Sequence, residues 1–270
     1  MDISKLTKKR IQEYIKEGKR FDGRDLLDFR DIKIEANVIK NAEGSARVKF
    51  GDTEVLAGVK MDVGTPYTDS EESGNLITTV ELLPLSSPRF EPGPPGIEAI
   101  ELARIVDRGI RESGYIDFDK LCIKKAEKVW NILIDIYSIN DAGNLIDASA
   151  LAALIALKTA KFPKYDEKAE KVLFGETSNK KLPLTDKMPI TFTYYKVGKN
   201  TIMDPVSDEE ESSKSRISVS LLNGKELKIS AIQKGGEEPF GKEETEVIID
   251  SFPSVLEKYI KKIEKTFKLD

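Results

Sequence analysis

Histidine is absent from the 270 residues of the chain, and cysteine occurs once, at Cys122. Without histidine the chain cannot form a Ser-His-Asp or Cys-His nucleophile, use imidazole for acid–base catalysis, or build the common zinc sites. One cysteine excludes an internal disulfide, and the strand-like segment LCIKKAEKVW around it favours a buried structural thiol. Any catalysis would therefore depend on carboxylates, Lys, Arg, Tyr, hydroxyl groups or a hard metal ion.

The sequence also lacks long apolar runs, a signal-peptide core and an excess of positive charge. No run approaches the roughly 20 apolar residues that span a bilayer, and we expect a cytoplasmic protein without a membrane partner. Lys and Arg number 43 against 47 Asp and Glu, for a net charge of −4. Because free nucleic-acid binders are usually basic, any contact with RNA would depend on a local patch, with a partner supplying part of the positive field.

Hydrophobic periodicity predicts an α+β order of elements. The predicted helices cover residues 3–17, 97–113, 147–162 and 242–268, the last of which should break or kink at Pro253. The predicted strands cover 31–38, 45–50, 53–63, 76–85, the region 122–141, and segments near 190–197, 200–206, 216–222 and 226–234. This order favours mixed or antiparallel sheets packed with helices, and a possible weak internal duplication. We expect one domain over 1–270, with halves at about 20–165 and 180–270.

Three arginines recur at helical spacing in GIEAIELARIVDRGIRES, at Arg104, Arg108 and Arg111. They fall within a sector of roughly 60°. The residues expected to pack into the core on the other side are Ile100, Ala103, Val106 and Ile110. Three guanidinium groups on one face suit a phosphate backbone, because each can bind two phosphate oxygens. From the helix alone, the favoured interpretation is a solvated face on which the arginines pair with Glu101, Asp107 and Glu112. The proline-rich segment before the helix, which could form a channel lip, shifts the balance slightly toward binding.

Two further segments could hold a ligand. The loop DAGNL (141–145) leads into an apolar helix, and the N–H groups at such a helix start suit an anion. The simpler alternative is that Asp147 caps the helix. The acidic segment 204–211 could hold Mg²⁺, although Asp-Pro followed by acids is more typical of a turn and a helix N-terminus. The residues by themselves indicate an α+β protein with a candidate anion site.

Longer motifs carry a more specific signal. They are GKRFDGRDLLDFR (18–30), GNLITTVELLPLSSPRFEPGPPGIEAIELARIVDRGIRES (74–113), DAGNLIDASALAALIAL (141–157), LPLTDKMPITF (182–192), MDPVSDEEES (203–212) and IQKGG (232–236). Together these motifs resemble the ribonuclease PH family over nearly the whole chain. The resemblance is greatest to the non-catalytic ribonuclease PH-like subunits of archaeal exosomes.

The resemblance implies a ribonuclease PH-like fold and an alternating trimer of heterodimers with a catalytic ribonuclease PH-like sister. RNA-binding cap proteins sit on one face of such a ring. The sister shortens single-stranded RNA from its 3′ end with inorganic phosphate and releases nucleoside diphosphates. In the family, the helix that matches 97–113 lies beside the RNA groove of the sister. This position favours Arg104 and Arg108 as RNA contacts, with Arg111 as a weaker candidate.

Two departures from the catalytic members imply that this chain has no active site of its own. Where those members have a small hydroxyl residue and an Arg that hold phosphate, this chain has Asn144 and Leu145. The first of their two Asp residues matches Asp204, but the second falls near Ser215 and Arg216. We therefore predict no catalytic residue, no cofactor and no metal ion.

Two alternatives remain open. The chain could itself be an active phosphate-dependent exoribonuclease, but an active member should have Arg at the position of Leu145. It could instead be a free-standing RNA-binding module, although its net acidity disfavours that function.

Overall fold

The computed structural model describes residues 3–224 and 227–269, which form five α-helices and twelve strands. The helices are α1 (Lys5–Lys16), α2 (Ile97–Arg111), α3 (Leu145–Thr159), α4 (Ser207–Ser212) and α5 (Lys242–Glu264). The first six strands are β1 (Ile32–Ala36), β2 (Gly44–Phe50), β3 (Thr53–Gly64), β4 (Asn75–Leu82), β5 (Cys122–Lys124) and β6 (Lys128–Asn140). The others are β7 (Lys161–Asp166), β8 (Lys171–Lys181), β9 (Met188–Val197), β10 (Asn200–Met203), β11 (Ser215–Asn223) and β12 (Lys228–Gly236).

The strands form two main sheets and a hairpin. The larger sheet has the order β1-β2-β3-β6-β4, with β5 paired to β6, and β4 is the one strand in it that runs parallel to its neighbour. The smaller sheet has the order β10-β9-β11-β12 and is antiparallel throughout. Strands β7 and β8 form a separate hairpin. Mixed and antiparallel sheets packed with helices confirm the fold class predicted from the sequence.

Helix α3 joins the two sheets. Every side chain from Leu145 to Leu157 is buried, as expected of a helix that is apolar nearly all the way round. One side of α3 packs on β2 and β3, and another packs on β9. Gly44 allows the closest approach, because a Cβ atom there would lie 2.2 Å from the backbone oxygen of Ala156. At the other end of α3, Asp147 in the first turn accepts hydrogen bonds from Thr193 of β9, so both halves of the chain meet there.

Several predicted elements differ from the structure. The hairpin β7–β8 was not predicted, and Cys122 is only half-buried. The favoured interpretation of segment 204–211, a turn followed by a helix N-terminus, is in contrast confirmed by α4. Helix α5 runs without interruption through Pro253, so the expectation of a break there is wrong, and the alternative of a kink stays a prediction. Buried side chains on both sides of the proline, Phe252 and Val255 among them, hold the helix together despite the lost hydrogen bond. Glu226, where the last predicted strand begins, lies outside the described residues.

Helix α1 packs on the smaller sheet through a second, smaller apolar cluster. Ile11 and Ile15 contact Tyr195, Val197 and Ile202 there. The predicted amphipathic helix at the N-terminal end of the chain is confirmed by this packing. In the part of the chain that the structure describes, no helix combines the length and apolarity required to cross a bilayer.

Candidate RNA-binding helix and the start of helix α3

The three arginines of α2 lie on one side of the helix but differ in how freely their charges are available. Arg104 is exposed and forms no hydrogen bond or ion pair with any residue in 3–224 or 227–269. Arg108 is half-buried, and its Nη1 donates to Oε1 of Gln233 at 3.3 Å. Arg111 is bound to Asp107, with Nε and Nη2 donating at 2.9 and 2.8 Å. Arg104 is therefore the most available cation and Arg111 the least.

The side of α2 that faces the core differs from the prediction at one residue. Ile100 was expected in the core, but its side chain is 58% exposed, and Ile97 before it is 84% exposed. At about 100° per residue, Ile100 falls within about 40° of Arg104, so both lie on the outer side. The residues that pack inward are Ala99, Leu102, Ile105, Val106, Gly109 and Ile110, with Ala103 partly buried against them. The exposed surface of α2 is thus apolar at its start and cationic toward its end.

The acidic residues expected to neutralise the arginines do so only in part. Asp107 pairs with Arg111, whereas Glu101 forms its ion pair with Arg216 of β11, at 2.7 Å. The alternative of a solvated, internally paired face therefore describes the end of the helix but not Arg104.

Helix α3 starts from a tight turn packed against the segment before α4. Gly143 has φ +92°, and a Cβ atom there would lie 2.5 Å from the backbone oxygen of Pro205. Asn144 follows in the left-handed conformation, with φ 60°. The N–H of Asn144 donates to Oε2 of Glu210 at 2.8 Å. The end of the helix dipole that suits an anion therefore already faces a carboxylate of this chain.

The predicted cap at Asp147 is wrong. Its carboxylate turns inward and accepts hydrogen bonds from the N–H and the hydroxyl of Thr193, at 3.1 and 2.7 Å. It also accepts from the side-chain amide of Asn144, at 3.0 Å. Burial raises the pKa of Asp147 to about 7, against the opposing effect of these hydrogen bonds. Asp147 thus connects α3 to β9.

Asp204, the residue that matches a catalytic Asp, is bound on both oxygens. One oxygen accepts from Nη2 of Arg30 at 2.7 Å and from Asn144 at 2.9 Å. The other accepts from the backbone N–H and Nε of Arg30, at 2.6 and 2.9 Å, and from Arg24 at 3.2 Å. Burial by itself would raise the pKa of Asp204, but the hydrogen bonds and charge of Arg30 hold it below its ordinary value. The carboxylate is therefore committed to a buried ion-pair network.

The other acids of segment 204–211 have separate partners, as expected for a turn leading into a helix. Glu209 forms a buried ion pair with Arg20, and Glu211 accepts the backbone N–H of Ile3 at 3.0 Å. Burial raises the pKa of Glu210, against the opposing hydrogen bond from Asn144. Across the described ranges, no three His, Cys, Asp or Glu side chains are arranged to hold a metal ion.

A cavity of about 310 Å³ opens beside the start of α3. Its walls include Leu145, Arg89 and Arg216, together with Glu210. Arg89 is paired with Asp141 at 2.8 Å. Sequence reasoning had singled out Leu145 and Arg216 but not Arg89. The sequence also does not indicate which acid of segment 204–211 contacts α3, because neighbouring acidic residues cannot be distinguished by their local pattern.

Comparison with known proteins shows the family. The models for domains 1 and 2 of the 3′ exoribonuclease family match residues 28–163 and 187–250. The exosome complex component Rrp42 of Methanosarcina acetivorans is 46% identical over 249 residues, which cover 92% of this chain and 90% of that protein. The corresponding protein of Thermococcus onnurineus is 47% identical over 251 residues, with the same coverage.

A solved structure agrees with these similarities in sequence. A chain of the Archaeoglobus fulgidus exosome, with RNA bound to the active site, superposes with a TM-score of 0.84 at 38% identity. The superposition covers 94% of this chain and 98% of that one. The family predicted from the sequence motifs is therefore confirmed, and the chain belongs to the 3′ exoribonuclease family, that of ribonuclease PH.

Proposed function

We propose that this chain is the non-catalytic ribonuclease PH-fold subunit of an archaeal RNA-degrading exosome. In this proposal it binds RNA and helps to structure the active site of a catalytic sister subunit, which degrades RNA from the 3′ end with phosphate. The similarity to Rrp42 proteins over some nine-tenths of the chain supports this function. The likeness to a chain of an RNA-bound exosome supports it further.

The observation that carries the non-catalytic part of the proposal is the buried, apolar Leu145 at the first position of α3. An attacking phosphate must be held and its developing charge stabilised for phosphorolysis. An arginine there would provide a charged, bidentate clamp, whereas leucine provides no donor. A phosphate at this helix start would also meet the carboxylate of Glu210.

Asp204 supports the same conclusion. A general acid needs a proton directed at the substrate, and a metal ligand needs a lone pair directed at the metal ion. Both oxygens of Asp204 are instead occupied by Arg30, Arg24 and Asn144.

RNA binding is proposed for Arg104 and Arg108, and more weakly for Arg111. An exposed guanidinium without a partner can exchange water and counterions for RNA phosphate at little cost, and Arg104 has none among the residues that the structure describes. Arg111 would first have to leave Asp107, or bind phosphate with the Asp107 carboxylate still beside it. A chain of net charge −4 is a poor free-standing RNA binder, so the arginines are expected to act together with the positive field of the sister.

The partners in this proposal are the sister subunit in an alternating hexameric ring, RNA-binding cap proteins and single-stranded RNA, with a cytoplasmic site of action. Exposed apolar side chains next to the arginines, Ile97 and Ile100, favour a protein contact at the start of α2. We also propose that both halves of the chain act as a single unit, because α3 packs on both sheets.

The test uses the purified chain with poly(A) and inorganic phosphate. Alone, it should release no nucleoside diphosphate. Mixed with the sister, it should form a hexamer by native mass, with interfaces of about 2,000 Å² or more, and the mixture should degrade the RNA. Phosphate-dependent release that co-elutes with the isolated chain would refute the non-catalytic role. A monomeric mass in the presence of the sister at micromolar concentration would refute the assembly.

A further inference from the structure

The start of α3 is already occupied by an anion that belongs to the chain itself. Oε2 of Glu210 lies 2.8 Å from the N–H of Asn144, the residue before the first turn of the helix. Its carboxylate lines the cavity beside α3, together with Leu145 and Ile146 of the first turn. Glu210 therefore stands where an external anion would have to approach the helix.

The backbone around Glu210 holds it in this place. Gly143, just before Asn144, touches the backbone of residues 205–207, which leads into α4. One residue before Glu210, Glu209 forms a buried ion pair with Arg20. The chain is therefore anchored just before Glu210 by contacts other than that between Glu210 and Asn144.

The surroundings of Glu210 include donors that suit an anion. Arg89 and Arg216 line the same cavity, and the buried Nε of Arg216 has no hydrogen-bond partner within the described residues. Asp141 and Glu101 pair with the outer nitrogens of these arginines. The group that faces the helix dipole directly is Glu210, and its removal would free the N–H of Asn144 next to a cavity of about 310 Å³.

We propose that Glu210 is an intramolecular anion that occupies the N-terminus of α3 and excludes inorganic phosphate from it. The carboxylate of Glu210 then blocks phosphate from the site, which also lacks the arginine that catalytic relatives carry. The inference rests on the proposed non-catalytic role and names the residue that enforces it. It requires that the loss of Glu210, and not the loss of any neighbouring acid, opens the site to phosphate.

The test is calorimetric titration of the full-length chain with sodium phosphate, with sodium chloride adjusted to keep the ionic strength constant. The variants are Glu210→Ala and, as a matched control, Glu211→Ala. Glu211 also lines the cavity, but its carboxylate accepts the N–H of Ile3, and among the described residues it forms no hydrogen bond or ion pair with α3. Both variants remove one negative charge from the same cavity, so a difference between them isolates the contact with α3.

We expect Glu210→Ala to bind phosphate at least about tenfold more tightly than the wild type, in a roughly millimolar range because other acids line the cavity. Glu211→Ala should resemble the wild type. Equal affinities for the two variants, no binding by Glu210→Ala, or equally tight binding by the wild type would each overturn the proposal. If Glu210→Ala does not fold, the same comparison is made between Glu210→Gln and Glu211→Gln, with the same criterion. The expected difference in affinity is then smaller, because the amide still fills part of the space.

These measurements involve neither RNA nor the sister subunit. Failure to bind phosphate would refute the role of Glu210 and leave the proposed function untouched. RNA phosphorolysis by the isolated wild-type chain would refute the proposed function instead.

Discussion

Reversing the charge of the two most available arginines on α2 should weaken RNA binding without disrupting the proposed ring. In Arg104→Glu with Arg108→Glu, the buried side of the helix is unchanged, because its packing depends on side chains such as Leu102 and Val106. Arg104 has no partner in the described chain, and Arg108 has one hydrogen bond of 3.3 Å to Gln233. We therefore expect little loss of folding stability and a clear loss of affinity for RNA.

The magnitude follows from counterion release. Each arginine that contacts a phosphate of single-stranded RNA contributes about 0.7 to the slope of log K against log salt, so the loss of two contacts lowers the slope by about 1.4. Between roughly 50 and 200 mM salt, the affinity of the wild-type complex should then fall about sevenfold more than that of the variant. Arg111→Ala serves as the matched control and should change the slope less, because its guanidinium is already paired with Asp107.

The assay is fluorescence anisotropy of the assembled complex with two labelled RNAs of different sequence, over a series of salt concentrations. Native mass measurement confirms that the ring is intact, and alanine variants separate lost attraction from added repulsion. Both RNAs should be affected alike, because backbone contacts carry no sequence information. An intact ring of the double variant with the wild-type salt slope and degradation rate would show that the arginines are only a solvated helix face.

Three further predictions concern the buried network at the start of α3. Asp204→Asn should lower the free energy of unfolding by about 3–5 kcal/mol, because it leaves the charge of Arg30 buried beside a neutral amide; a loss below about 1 kcal/mol in urea unfolding would contradict this. Asp147→Asn should flatten the pH dependence of stability. Burial raises the folded pKa of Asp147 from 3.8 to about 7, so wild-type stability falls as pH rises between those values, and a matching fall in the variant would refute the assignment. Gly143→Ala, at φ +92° and 2.5 Å from a backbone oxygen, should cost about 1–3 kcal/mol in thermal unfolding. Gly198→Ala, at φ +65° in open space, should cost less, and equal losses would show that the close contact is not the cause.

The elements with strong apolar patterns could be predicted from the sequence, and weakly patterned ones could not. Helix α3 was predicted from its continuous apolar character and β3 from its buried run, each within a few residues of its observed bounds. The hairpin β7–β8 gave no such signal, because β8 is exposed on both faces over most of its length. A strand alternates apolar and polar residues when one face packs on a core. Because most of β8 is exposed on both faces, its sequence shows no such alternation.

In the candidate site, too, some features could be predicted from the sequence and others could not. That Arg104, Arg108 and Arg111 share one side of α2 follows from helix geometry alone. Which side faces the core depends on the sheets that the helix packs against, and for that reason the prediction for Ile100 was wrong. The pairing of Arg111 rather than Arg104 depends likewise on where neighbouring side chains and the carbonyl of Leu76 lie.

The sequence by itself determined the chemistry that this protein lacks and the family to which it belongs. The absence of histidine and the apolar Leu145 are properties of composition and position, and no folding is needed to see them. Only the tertiary structure decided which groups the carboxylates bind. Asp204 meets the side chain of Arg30 across 174 residues, and Glu210 meets Asn144 across 66. Such contacts arise from how the two sheets pack around α3, and local propensity carries no information about which distant groups that packing brings together.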